Sequence, residues 1–137
     1  MILVYSYYVL DIIHKGHLEM LRNAKAMAGK DGRLIVGILT DKAVMEKKPK
    51  SVLSFEERVE LAHSIKYVDL VMAQETYSPL SNLRMIKPNI LMESNSHELE
   101  QTVKDFMKSI KGQIIIVPYF PGHSSTQIKK ETRDGQS

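Results

Sequence analysis

The sequence predicts an α/β fold in which one doubly wound, five-stranded parallel sheet carries helices on both faces. Five short apolar runs alternate with segments whose apolar residues recur at helical spacing. The runs are nearly continuous in apolar residues, with Ser6 as an interruption of the first, which is typical of parallel strands buried on both faces. The length of 137 residues suits a single domain, and no linker or internal repeat divides it.

The predicted strands follow one another as the runs 2–8, 34–39, 70–73, 90–92 and 114–117. Helices are expected between them at about 15–28, 55–64, 80–86 and 98–110. Ser54, with Glu57 three residues later, has the pattern of a capping box at the start of the second helix. The third helix should stop at Lys87, before Pro88. Such a right-handed β-α series is a Rossmann-like domain, which binds ligands beyond the carboxyl ends of its strands.

Composition and charge exclude several classes of protein. The absence of cysteine excludes a disulfide framework, a thiolate zinc site and a cysteine nucleophile, and it agrees with a cytoplasmic protein. No run of apolar residues is long enough for a membrane span, and the first run lacks the flanks of a signal peptide. The net charge of +3 favours small anionic ligands and is too mild to indicate a nucleic acid.

His14 and His17 stand three residues apart where the first helix should begin, so both imidazoles face one side of its first turn. Backbone amides there have no helical partner, the helix dipole adds positive charge, and Gly16 lets an anion approach the backbone. The pair could also be polar surface, and a zinc site would need a third ligand that the spacing does not offer. The turn therefore predicts a phosphate site and no metal held by protein side chains.

A second candidate segment follows the last strand, where the turn at Gly122 precedes Ser124, Ser125 and Thr126. These hydroxyl residues are placed to begin a closing helix. One hydroxyl would cap that helix, whereas three hydroxyls with free amides suit the terminal phosphates of a nucleotide.

A third candidate is the lysine run of Lys47, Lys48 and Lys50, in the polar connection after the second strand. Such a run is ordinarily a solvated loop. Arg58, four residues beyond the Ser54 cap, could equally be a surface residue of its helix. Each segment alone is a modest signal, and their order along the chain is the more specific one.

That order resembles the cytidylyltransferase family over nearly the whole chain, so residues 1–137 would form one nucleotidyltransferase domain. The matching segments are Asp11 to His17 with its HxGH motif, Thr40-Asp41, the lysine run, Glu57-Arg58 and Gly122 to Thr126. In length the chain is similar to glycerol-3-phosphate cytidylyltransferases. It is also similar to the cytidylyltransferases of phosphonate biosynthesis, at residues 37–43, 54–58, 74–76 and 82–83.

The resemblance implies that an acceptor phosphate or phosphonate oxygen attacks the α-phosphorus of CTP directly and releases pyrophosphate. Such chemistry needs positioning and charge stabilisation more than a base. The implied catalytic residues are His14, His17 and Lys47. The implied nucleotide-binding residues are Val9, Leu10, Gly16, Gly122, Ser124, Ser125 and Thr126. The implied acceptor-binding residues are Lys47, Arg58 and Asn82. Mg²⁺ would bridge phosphate oxygens with few protein ligands.

The chain departs from the family pattern at Tyr8 and Val9, where a small residue and a hydroxyl residue are usual, and at Glu93, in place of a glycine-containing turn. The turn lies near the nucleotide base and sugar in this family. Two alternatives therefore stay open: an adenylyltransferase that uses ATP, and a nucleotide-binding module without activity. A homodimer is expected, since dimers are the commonest assembly.

Overall fold

The computed structural model describes residues 1–94 and 99–117. Its strands and helices, in chain order, are β1 (Leu3–Tyr8), α1 (Lys15–Ala28), β2 (Arg33–Leu39), α2 (Asp41–Met45), α3 (Phe55–His63), β3 (Leu70–Gln74), α4 (Leu80–Ile86), β4 (Ile90–Ser94), α5 (Gln101–Ser109) and β5 (Gln113–Val117). Within the described ranges, no helix combines the length and the apolar character that crossing a bilayer requires.

The five strands form one sheet in the order β3-β2-β1-β4-β5, and every neighbouring pair is parallel. From β1 the chain first proceeds outward to β2 and β3, and it then returns to place β4 and β5 on the other side of β1. The strand order therefore reverses between β1 and β4, which is the point where doubly wound sheets bind their ligands. The predicted Rossmann-like architecture is confirmed.

Alternate residues of β1 belong to two different cores. Val4 packs with Leu21 of α1 and Ala62 of α3 on one face of the sheet. Tyr5 packs with Leu83 of α4 and Val103 of α5 on the other face. Helices thus cover both faces, as the continuous apolar runs of the strands require.

Local signals located most elements correctly. Helices α1 and α4 have the predicted bounds, and each strand differs from its prediction by one or two residues at an end. Helix α3 begins at the predicted capping box: the Ser54 hydroxyl accepts from the Glu57 amide at 3.1 Å, and the Glu57 carboxylate accepts from the Ser54 amide at 3.0 Å. Helix α5 is shorter than predicted. The closing helix expected after Thr126 lies outside the described residues.

Helix α2 was not predicted, because it lies within the polar connection that leads to the lysine run. Thr40 caps it, since the Thr40 hydroxyl accepts from the Ala43 amide at 3.2 Å. Ala43 and Val44 then pack against Leu39 at the end of β2. A helix of five residues is too short to show a hydrophobic period. The capping residue alone could have indicated it.

Candidate functional site

Helix α1 begins at the topological switch point, and two histidines close its first turn. His14 is the N-cap residue, and its Nδ1 accepts from the Gly16 amide at 3.0 Å. The side chain of His17 reaches back to the N-cap residue, where its Nδ1 accepts from the His14 amide at 3.3 Å. The two rings lie 4.1 Å apart between centroids. The histidines therefore form a capping box, an arrangement usually made by Ser or Thr with Glu or Gln.

These contacts decide which ring nitrogen carries the proton. An Nδ1 atom that accepts from an amide cannot hold a proton itself, so each neutral ring is protonated at Nε2. His14 and His17 thus each have one N–H donor, at the corner of the ring away from the capping contact. Two neutral donors beside the positive end of a helix dipole suit an anion.

His17 is held in its neutral form by its surroundings. Burial lowers the pKa of His17 to about 4, and the neighbouring His14 contributes to the shift. The Tyr8 ring packs edge-on against the His17 ring with 5.9 Å between centroids. Tyr8, one of the departures from the family pattern, therefore helps to exclude water from the imidazole.

We expect His17 to stay neutral in the free folded protein down to about pH 5. Its pKa is about 4 in the folded state against an ordinary value of 6.5, so the unfolded state binds more protons between these two pH values. His17 therefore reduces the free energy of unfolding as the pH falls from 6.5 towards 4. Ring ¹⁵N shifts should show protonated Nε2 and unprotonated Nδ1 at neutral pH. A proton on Nδ1 would contradict the capping geometry.

Arg58 has a different position from the one predicted. Its side chain is fully buried, and its Nη1 donates to the carbonyls of Val9 and Leu39 at 2.8 and 2.7 Å. Its Nη2 pairs with the Asp41 carboxylate at 2.9 Å. Arg58 thus joins the ends of β1 and β2 to the start of α2. The guanidinium makes its hydrogen bonds inside the protein, so Arg58 is not a surface residue of its helix, and its role in acceptor binding stays a prediction.

Asn82 also lies inside the protein rather than at a substrate surface. Its Nδ2 donates to the Tyr5 hydroxyl and to the Ala73 carbonyl, both at 2.9 Å. The Tyr5 hydroxyl donates to Gln74 Oε1 at 2.6 Å. The Tyr5 ring end lies over Gly37, where an added Cβ would be 1.9 Å from the phenol oxygen. Asn82 thus belongs to a buried polar network, and its role in acceptor binding stays a prediction.

Lys47 is exposed, in the turn that follows α2. The far end of its connection is attached to the histidine turn, because the Asp11 carboxylate accepts from the amides of Val52 and Leu53 at 3.0 and 2.8 Å. Asp11 lies three residues before His14. No local pattern in the sequence indicates this role of Asp11, because Val52 and Leu53 are more than 40 residues away from it.

The other predicted nucleotide-binding residues fall into two groups. Val9, Leu10 and Gly16 lie between β1 and the first turn of α1, at the switch point. Leu10 has a φ of 65°, a left-handed conformation that is uncommon outside glycine, and the chain turns sharply there. The amide of Gly16 donates to Nδ1 of His14. The remaining predicted residues, outside the described part of the chain, are Gly122, Ser124, Ser125 and Thr126.

Glu93 places a buried carboxyl group near the end of β4. It is 3% exposed, and its side chain is hydrogen-bonded to Tyr7 of β1. Burial raises the pKa of Glu93 to about 7, although the Tyr7 hydrogen bond opposes the shift. In the described ranges, no three His, Asp or Glu side chains converge in a way that would hold a metal ion.

A family model described as cytidylyltransferase-like matches residues 9–131, which is most of the chain. The chain belongs to the cytidylyltransferase-like family. This confirms the resemblance found in the sequence, and it identifies the chain as a cytidylyltransferase-like nucleotidyltransferase.

The relatives of this cytidylyltransferase-like chain include longer proteins. It is 34% identical to the bifunctional protein HldE of Rhodopseudomonas palustris (strain TIE-1) over 130 residues, which are 93% of this chain and 26% of the relative. It is 30% identical to the HldE of Gluconobacter oxydans over the same shares of the two chains. The chain thus spans about a quarter of the length of these relatives.

Solved structures show the same fold. The lipopolysaccharide core biosynthesis protein from Thermoplasma volcanium GSS1 superposes with a TM-score of 0.73 at 21% identity, over 88% of this chain and 97% of that one. The macrolide-efflux protein from Streptococcus pneumoniae superposes with a TM-score of 0.68 at 22% identity, over 98% of this chain and 52% of that one. The cytidylyltransferase-like assignment and the observed sheet therefore agree.

Proposed function

We propose that this chain transfers a nucleoside monophosphate from a nucleoside triphosphate to a small acceptor that carries a phosphate or phosphonate. The observation that carries the proposal is the histidine capping box of α1, which sets two Nε2–H donors at a positive helix end. CTP is the first candidate nucleotide, from the family resemblance. ATP is the second, because Glu93 replaces the family's glycine-containing turn near the expected position of the base.

In the proposed reaction, an acceptor oxygen forms a bond to the α-phosphorus while the bond to the bridging oxygen of the β-phosphate breaks. Negative charge develops on the departing pyrophosphate, and His14 and His17 stabilise it by donating from Nε2. The rings give up no proton, so their neutral state is sufficient. Donors fixed before the reaction stabilise developing charge without reorganising, which is the main source of catalysis in phosphoryl-type transfers.

Lys47 is proposed to bring the acceptor to the nucleotide. A phosphate or phosphonate is already anionic at neutral pH, so the acceptor needs a cation and an orientation rather than a base. Lys47 is exposed, as this role requires. Its connection is attached to the histidine turn through Asp11, which supports a fixed distance between the two parts of the site.

Mg²⁺ is proposed to enter with the triphosphate, and when bound it would neutralise charge on the phosphate oxygens. The cation would be held mainly by substrate oxygens and water, with few protein ligands of its own. The hydroxyls of Ser124, Ser125 and Thr126 and the turn at Gly122 stay predicted contacts to the terminal phosphates.

Pyrophosphate release tests the proposal directly. The chain is incubated with Mg²⁺ and either CTP or ATP, against 2-aminoethylphosphonate, 2-hydroxyethylphosphonate, glycerol 3-phosphate, phosphocholine and a sugar 1-phosphate. We expect release that requires one nucleotide and one acceptor together. The nucleotide that supports release identifies the base, and no release with any pair would reject the proposal. We also propose that the chain forms a homodimer, and light scattering on the same preparation checks this.

A further inference from the structure

The loop between β3 and α4, residues 75–79, contacts the turn that carries Lys47. The Tyr77 amide donates to Glu46 Oε2 at 2.9 Å. The Tyr77 ring packs against the cluster that includes Ala43 and Val44 of α2. Glu46 is the C-cap residue of α2 and immediately precedes Lys47. The loop therefore touches the lysine turn one residue from the proposed acceptor-binding cation.

Gln74, the last residue of β3, fixes this loop from the interior. It is 1% exposed, and its Nε2 donates to the carbonyls of Thr76 and Tyr77 at 3.2 and 3.1 Å. Its Oε1 accepts from the hydroxyl of Tyr5, which is fully buried in the central strand. Hydrogen bonds thus connect the centre of the sheet, through Gln74 and the Tyr77 loop, to Glu46.

The lysine turn needs such support. Helix α2 has five residues, too few to be stable without tertiary contacts. After α2, the amides of Lys47 and Lys48 both donate to the Val44 carbonyl. These bonds lie within the turn, so contacts with neighbouring segments must fix its orientation. Glu46 is exposed, so its contact with the Tyr77 amide contributes no more than an ordinary hydrogen bond, and that bond fixes the direction of the turn.

The charge of Glu46 is unfavourable where it stands. A carboxylate beside a lysine that binds an anion repels that anion, and it weakens the attraction that the lysine supplies. The hydrogen bond from the Tyr77 amide to the Glu46 carboxylate orients the lysine turn, and this benefit opposes the repulsion. Charge and positioning therefore predict opposite effects when Glu46 is truncated.

We propose that Glu46 is a positioning residue for the acceptor: it holds the Lys47 turn against the Tyr77 loop, so that Lys47 presents the acceptor anion to the nucleotide at the histidine pair. The inference rests on the proposed function, and it concerns acceptor binding alone. The Glu46–Tyr77 hydrogen bond involves neither histidine of the α1 capping box.

Steady-state kinetics of Glu46→Ala, Glu46→Gln and the exposed α3 control Glu60→Ala test this role. Glu46→Ala should raise the acceptor KM by about tenfold, the scale of one lost hydrogen bond, and leave the nucleotide KM within about twofold. Glu46→Gln keeps an oxygen for the Tyr77 amide, so it should restore the acceptor KM to the parent value or below. Glu60→Ala should change neither KM.

Two results would overturn the inference. An acceptor KM that is unchanged or lowered in Glu46→Ala would mean that the carboxylate acts only through its charge. An equal increase in Glu46→Gln would mean that the hydrogen bond to Tyr77 is not what matters. Lys47→Ala distinguishes a failure of this inference from a failure of the proposed function. If Lys47→Ala and Glu46→Ala both leave the acceptor KM unchanged, the proposed role of Lys47 fails. If Lys47→Ala raises the acceptor KM and Glu46→Ala does not, only the role of Glu46 fails.

Discussion

Replacing His17 with alanine should lower kcat/KM for nucleotidyl transfer by on the order of 10²-fold or more, which is the effect of losing one fixed donor to a developing anion. The substitution removes the Nε2–H that the proposed transition state requires. It also removes the Nδ1 acceptor for the His14 amide, so the helix start loses a cap worth about 1 kcal/mol. Pyrophosphate release and thermal unfolding measure the two effects separately.

A second substitution separates the two functions of His17. Glutamine at this position can still accept from the His14 amide, as in an ordinary capping box, but it has no ring donor at the position of Nε2. We expect His17→Gln to keep the unfolding temperature and still lose most of the rate. His63→Ala, at the exposed end of α3, is the matched histidine control and should leave both unchanged. A loss of less than about threefold in His17→Ala would show that the histidines are structural only.

Arg58→Met is the substitution with the largest expected effect on stability, a loss of about 2–4 kcal/mol in the free energy of unfolding. The guanidinium is fully buried, so its removal leaves the Val9 and Leu39 carbonyls without their donor, and an unsatisfied carbonyl costs more than its hydrogen bond contributes. The Asp41 carboxylate also loses its partner, but the Asp41 side chain is 32% exposed, so water compensates part of that loss. Urea unfolding followed by circular dichroism gives the change in midpoint.

The controls for Arg58 address charge and partner. Arg22→Met, on the exposed face of α1, removes the same charge and should change the free energy of unfolding by no more than about 0.5 kcal/mol. In Arg58→Met with Asp41→Asn, the carboxylate left by the first substitution is neutralised, so the double variant should recover part of the stability. A cost below about 1 kcal/mol for Arg58→Met would contradict the burial described above.

The elements that sequence analysis located correctly are those with local signals. The capping box at Ser54 involves residues three apart, and the bounds of α1 and α4 follow from periodicity and from Pro88. The order of the strands was not predicted, because right-handed crossovers determine the face on which each helix lies and not which strands are neighbours. The histidine capping box is also local, but histidine is not among the residues of the usual capping pattern. The spacing therefore predicted a phosphate site, and it gave no information on which ring nitrogen carries the proton.

The side-chain contacts that the sequence did not indicate depend on distant partners. Arg58 could equally have been a surface residue of its helix, and its buried partner Val9 is 49 residues away in the chain. Asn82 contacts Tyr5 across 77 residues. No periodicity distinguishes a buried arginine or asparagine from an exposed one, because the side chain is stabilised by hydrogen bonds that only the folded sheet brings together.

The contact between Tyr5 of β1 and Gly37 of β2 makes the residue types at these two positions depend on each other. The phenol oxygen of Tyr5 occupies the space that a Cβ at position 37 would need, and Gln74 fills the remaining side of that space. Neither residue can be exchanged freely without the other. Related chains should therefore covary here: a side chain at position 37 should appear only where position 5 has lost its phenol, a signature that sequences alone can reveal.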